Sequence, residues 1–178
     1  MSEIEFAELK NSCFEGGKSE YFLICDIDEL LDVDDDDLLQ YQPSIVQGIG
    51  YHMVGDSDTK FEQISRGSRD TMYDKCLLFK RSDLVGINYG AGAHSCRPVF
   101  TPGLTVGENL RKNLYHFRYL SLNFIVERYQ KRRQRKMEED RAKGFDLQYF
   151  LSYEQVENDY HDARKTSISL TVDWSPQK

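Results

Sequence analysis

The chain has 178 residues, a formal net charge of -7, and 39% hydrophobic against 30% charged residues. That length suits one domain, or one domain with an appendage. A mean hydropathy of -0.63 and a pI near 5.1 weigh against a membrane protein and against a general nucleic-acid binder, and no apolar run approaches the ~20 residues of a membrane span.

In chain order, residues 3–13 read as a short helix, and "EGGKSE" reads as a turn. The run Tyr21-Phe22-Leu23-Ile24-Cys25 follows, apolar without alternation, and predicts a central parallel strand with both faces covered. Asp34 or Asp35 caps a short helix over 36–41, which Pro43 closes. "SIVQGIGYHMVG" predicts one or two strands with a bend at Gly48 or Gly50, and the polar stretch 55–70 reads as loop. "MYDKCLLFKRSDLVGINYGAGAH" reads as two strands joined by a turn at Arg81-Ser82-Asp83, and "SCRPVFTPGLTVGEN" as loop. "NLYHFRYL" is a strand leading into a helix that Ser121 caps and Gly144 ends. A last helix begins at Ser152, whose spacing to Gln155 fits a capping box. The domain division expected is 1–150, with 151–178 as a C-terminal helix and tail.

The first residues, MSEIEFAELK, lack the basic-then-apolar layout of a signal peptide. Cys13, Cys25, Cys76 and Cys96 are too far apart for a CxxC clip, so reduced thiols in a cytoplasmic protein are expected. Charge is segregated: acid gathers before Asp74, with a block at Asp34 to Asp37, and base gathers in "RYQKRRQR". The acids Glu138, Glu139 and Asp140 answer that basic run at helical spacing, which makes it a solvated, ion-paired face.

Chemistry concentrates where the apolar run meets Asp26-Ile27-Asp28. Open α/β sheets place ligands at the carboxyl ends of their strands, and crowded carboxylates there call for a cation, a proton or solvent. Two aspartates one residue apart suit a hard divalent cation that is shared with phosphate oxygens; a solvated acidic loop is the plain reading. His116 sits in an apolar strand, where either metal ligation or a buried hydrogen bond gives the imidazole a reason to be. His94 follows the small residues of "GAGA", His52 reads as a packed strand residue, and His161 as surface. Lys75 and Arg97 suit phosphate or the acidic loop. Asp56, Asp58, Glu62, Asp70 and His94 are candidates for a general base, none of them distinguished by spacing.

The stretches "KNSCFEGGKSEYFLICDIDELLD", "GYHMVG", "YDKCLLF", "NYGAGAHSCRP", "LYHFRYLS" and "ERYQKRRQR…GFDLQY" follow one another over about residues 10–150. On them the chain resembles bacterial and viral family 2-like glycosyltransferases of the GT-A fold. The resemblance implies an α/β fold with a mixed sheet and flanking helices. It also implies Mn²⁺ or Mg²⁺ held by Asp26, Asp28 and a returning His116. The partners it implies are a nucleoside-diphosphate sugar, which Asp26 and Lys75 help to bind, and a hydroxyl acceptor, with His94 as the catalytic candidate. In such a transfer the metal neutralises the diphosphate leaving group. Only 25 residues precede Asp26, so the Rossmann-like half that normally opens a GT-A domain is expected to be missing, exposing a sheet edge that invites a second copy. The alternative is a non-catalytic binding or assembly module derived from the same fold.

Overall fold

Local sequence chemistry sets the helix starts. The computed structural model describes residues 2–90, 93–106, 109–134, 142, 144 and 147–174. Helix α1 (Glu3–Ser12) opens with a capping box between Ser2 and Glu5, and α2 (Asp35–Tyr41) with one between Asp34 and Asp37. Acids in the first turn of α2 also suit its positive end, and Asp37 pairs with Lys112 at 2.5 Å. Gln42 ends α2 at φ 42°, immediately before Pro43. Ser121 caps α3 (Leu122–Arg133), and Ser152 forms the expected box with Gln155 at the head of α4 (Tyr153–Thr166). Helix α3 ends at Arg133, well before Gly144, which adopts a left-handed φ of 79°. The expected pairing of Glu138, Glu139 and Asp140 with the basic run lies outside the described residues.

The strands are β1 (Tyr21–Leu23), β2 (Glu29–Leu31), β3 (Ile45–Val54), β4 (Arg66–Arg69), β5 (Cys76–Lys80), β6 (Leu84–Gly86), β7 (Val99–Phe100), β8 (Leu110–Tyr119) and β9 (Ile168–Ser169). The architecture is mixed α/β, and no described helix is long and apolar enough to cross a membrane. Proximity along the backbone divides the chain into two compact units, Met1–Gly50 with Thr71–Leu114, and Tyr51–Asp70 with Tyr115–Lys178. Strands β3 and β8 each give their first residues to the former and their last to the latter.

In the first unit β1, β5 and the start of β3 are neighbours in that order, all antiparallel. The apolar run 21–25 is therefore an edge, not the central parallel strand expected. Tyr21, Phe22 and Leu23 face Lys80, Phe79 and Leu78, while Leu23 is left exposed. Phe22 stacks between Phe14 and Phe79, so the apolar character serves ring packing at a sheet margin. Strand β2, a stretch to which the sequence assigned no element, forms beside the start of β8, and Asp32 N–H donates to Asn113 O at 2.8 Å. The core here gathers Ile24, Ile45, Phe79 and Ile87 on one side and Val46, Leu77 and Leu114 on the other.

In the second unit the end of β3 pairs with β4, and β4 pairs with β9. Sequence reading took Arg66–Arg69 for loop because its residues are polar and include glycine. Its strand form comes from partners on both sides, and Gly67 fits because a Cβ there would sit 2.6 Å from Leu170. One core cluster joins Val54, Ile125, Tyr129, Val156 and Tyr160, so α3 and α4 share it; a second joins Met53, Ile64, Tyr115 and Phe117.

Gly48 marks a close approach inside the core of the first unit, since a Cβ there would lie 2.8 Å from both Leu114 Cβ and Leu77 Cδ1, two fully buried side chains. Gly48→Ala is expected to destabilise the protein by about 1–3 kcal/mol through overpacking, and urea unfolding at an unchanged midpoint would contradict that reading.

Candidate functional site

Asp26 lies just past β1, and what surrounds it is cationic. Lys10, from the last turn of α1, donates to Asp26 Oδ1 at 2.8 Å. Lys75, immediately before β5, reaches Asp26 Oδ2 at 3.8 Å and Glu29 Oε1 at 2.7 Å. Glu29 closes the ring by accepting the Asp26 backbone N–H at 3.0 Å. Both lysines and Glu29 are buried, whereas 36% of the Asp26 side chain meets solvent. Two ammonium groups thus face two carboxylates in one charge-balanced cluster. Buried charges persist only when opposite charges answer them, as here.

Burial works against an ionised Asp26, and Asp28 adds to that. Lys75 and Lys10 outweigh both, and hold the carboxyl below its usual range. Asp28 lies in the turn between β1 and β2 and has interactions of its own. Tyr73 extends the cluster: Lys75 Nζ stands 5.7 Å from its ring centre, and the His94 ring meets it edge-on at 5.0 Å. Of the residues singled out from sequence, Asp26 and Lys75 are joined directly, and His94 shares Tyr73 with Lys75.

A divalent ion at Asp26 fits this donor set poorly. Both carboxylate oxygens face lysine ammonium groups, which already supply the positive charge the aspartate needs. Among the described residues no group of three or more His, Cys, Asp or Glu side chains is arranged to hold a metal.

His116 belongs to the second unit and there meets another histidine. His116 Nδ1 and His52 Nδ1 are 3.0 Å apart, and His52 Nε2 is 2.7 Å from Asp70 Oδ2. An ionised carboxylate only accepts, so His52 carries its proton on Nε2 and presents the Nδ1 lone pair, to which His116 Nδ1–H donates. The result is a directed chain, His116 to His52 to Asp70, with both imidazoles buried. Of the two reasons the sequence offered for an imidazole at 116, the buried hydrogen bond is the one described. Burial pushes His52 down to about 4; Asp70 opposes this, while His116 and Arg118 add to it. Tyr119 meets the His52 ring edge-on at 5.4 Å.

Sequence reasoning left Lys10 and Glu29 unremarked as site residues. Glu29 stood in the quoted acidic stretch, and its signal was its place three residues after Asp26. Lys10 carried no signal, since nothing in a short, mostly exposed helix marks one lysine as buried. His52 was read as packed and is packed, but its partner Asp70 was one of several acids in a presumed loop.

Comparison of the chain with family models, curated proteins and solved structures gave no match. The likeness to glycosyltransferases therefore rests on the quoted stretches of sequence.

Lys75→Met should cost about 3–5 kcal/mol, because Glu29 is then left buried without its counter-charge, and the double variant Lys75→Met/Glu29→Leu should regain most of it. Equal losses in the single and double variants, measured by urea unfolding, would contradict a coupled pair. The histidine chain makes a separate forecast. His52 is held neutral in the fold, with its value lowered from 6.5 to about 4. Its contribution is full above about pH 6.5 and drains as the pH falls towards 4, a loss of about 3 kcal/mol. Asp26, whose value is lowered from 3.8, gives up its contribution only below that window. A thermal midpoint that stays flat from pH 6.5 to 4.5, or falls equally in His52→Asn, would refute this.

Proposed function

We propose that the chain is a non-catalytic binding and assembly module in which the D-x-D aspartate has a structural role. The observation that carries this reading is the occupation of both Asp26 oxygens by Lys10 and Lys75. A carboxylate spent on two buried ammonium groups gains nothing from a metal ion, and a diphosphate would have to compete with Asp26 and Glu29 for the same lysines.

What remains available for recognition is the sheet margin. Strand β1 ends the strand order; Leu23 on it and Ile27 in the turn that follows are exposed. An open, apolar-edged strand suits addition of another strand, where backbone hydrogen bonds give affinity and alternate side chains give selectivity. The partner proposed is a second copy of this chain.

A second reading, metal-dependent glycosyl transfer, draws support from one feature: Asp26 and Lys75, both implied as donor-binding residues by the resemblance, sit in one network. The two readings part in solution. The module reading expects a dimer or larger species by light scattering, reduced to monomer by Leu23→Lys. It also expects no change in melting temperature when Mn²⁺ or Mg²⁺ is added with UDP, GDP or dTDP. A monomer whose melting temperature rises with metal and nucleotide, and loses that rise in Asp28→Ala, would replace it with the transferase reading.

A further inference from the structure

Beyond α4 the chain runs extended and its side chains alternate. Leu170, Val172 and Trp174 are half-buried, whereas Ser169, Thr171 and Asp173 between them are exposed. Burial with a period of two is the pattern of a strand laid on a surface. The backbone contacts agree. Strand β9 pairs with β4, Leu170 N–H donates to Ser65 O at 2.7 Å, and Thr171 O accepts from the Tyr115 hydroxyl at 2.9 Å.

The surface beneath is an apolar groove within the second unit. Met53, Ile64, Tyr115 and Phe117 form its floor, and Leu170, Val172 and Trp174 pack onto that floor. Gly67 leaves a notch for Leu170, whose Cδ1 lies only 2.6 Å from where a Cβ would stand. At the far end the Trp174 ring centre is 4.8 Å from that of Phe61 and 5.7 Å from that of Phe117. Phe61 stays 45% exposed beside it. Strand β4 thus offers backbone pairing, while the floor selects side chains at alternate positions. Those are the two ingredients of recognition by strand addition.

We propose that this groove is a recognition site for an extended segment of a partner protein, and that residues 168–174 fill it as a displaceable internal competitor. The seated segment defines the chemistry that fits: aliphatic side chains at two alternate positions, then an aromatic ring two residues further on. Its hold is modest, since only Ile168 and Ser169 pair as strand and all three inward side chains remain partly exposed. Arg66 donates through Nε to Ser167 Oγ and through Nη2 to Ser167 O, so the end of α4 keeps its own anchor when the residues after it leave. A partner strand takes over the pairing with β4, so displacement leaves no open edge there. Because the competitor is tethered, a partner works against a local concentration on the order of millimolar. The site lies in the second unit and makes no use of the β1 margin, and its test is independent of that margin.

Trp174 is the single tryptophan of the chain, so its fluorescence reports directly on what occupies the groove. The probe is a synthetic peptide of residues 167–174 carrying Trp174→Phe, with lysines appended for solubility. Added to the unaltered chain, it should shift the Trp174 emission to the red, towards that of a solvated indole. The shift should saturate with a midpoint of about 1 mM, because probe and tethered segment bind alike. A peptide of the same composition with its apolar residues moved by one position should leave the emission unchanged. An emission unmoved at about 10 mM probe, or moved equally by the shifted peptide, would overturn the proposal. A red shift that grows with protein concentration in the absence of probe would overturn the assignment to a partner protein, giving the groove to a second copy. The anisotropy of a labelled probe supplies a second readout. Trp174→Ala weakens the competitor and leaves the floor intact, so the probe should bind it about tenfold more tightly, and binding no tighter in the folded variant would also refute the proposal. The emission of the unaltered chain decides the matter even where that variant fails to fold.

Discussion

The buried ammonium of Lys75 is the constraint around which the first unit is organised. It is 3% exposed, and an ion that deep costs several kcal/mol unless its surroundings return that energy. Glu29 answers it at 2.7 Å, Asp26 adds a second carboxylate, and Lys10 restores neutrality by balancing Asp26. Each contact fixes a different piece of chain: the head of β5, the turn after β1, the start of β2 and the last turn of α1. The acidic stretch after the apolar run is thus a set of counter-ions for two lysines far from it in sequence.

The second unit uses a different device for the same problem. Among its buried polar side chains are two imidazoles, of which His52 is held neutral by burial and so avoids the ionic desolvation that Lys75 must offset. Asp70 at one end fixes the tautomer of His52, and that tautomer fixes the donor on His116. Direction in such a chain comes from the carboxylate, the one member able only to accept.

Legibility in the sequence followed the range of the forces involved. Helix starts at Asp34, Ser121 and Ser152 were readable because capping is decided within three residues. Strands β3, β5 and β8 were readable from apolar content. Strand β4 was not, because Arg66-Gly67-Ser68-Arg69 becomes a strand through pairing with β3 and β9. The run 21–25 was recognised as a strand but misplaced within the sheet, since lack of alternation also describes an edge whose aromatic residue stacks on rings from elsewhere. For Lys75 the sequence offered phosphate or the acidic loop, and the pairing with Asp26 and Glu29 is the second of these; the insertion of Lys10 depends on how α1 docks, which no local pattern encodes.

Because β3 and β8 each pass without interruption from one compact unit into the other, neither unit is a contiguous stretch of polypeptide. Excising either one would mean cutting through the middle of two ten-residue strands. Dissection at a surface linker is therefore closed to this chain.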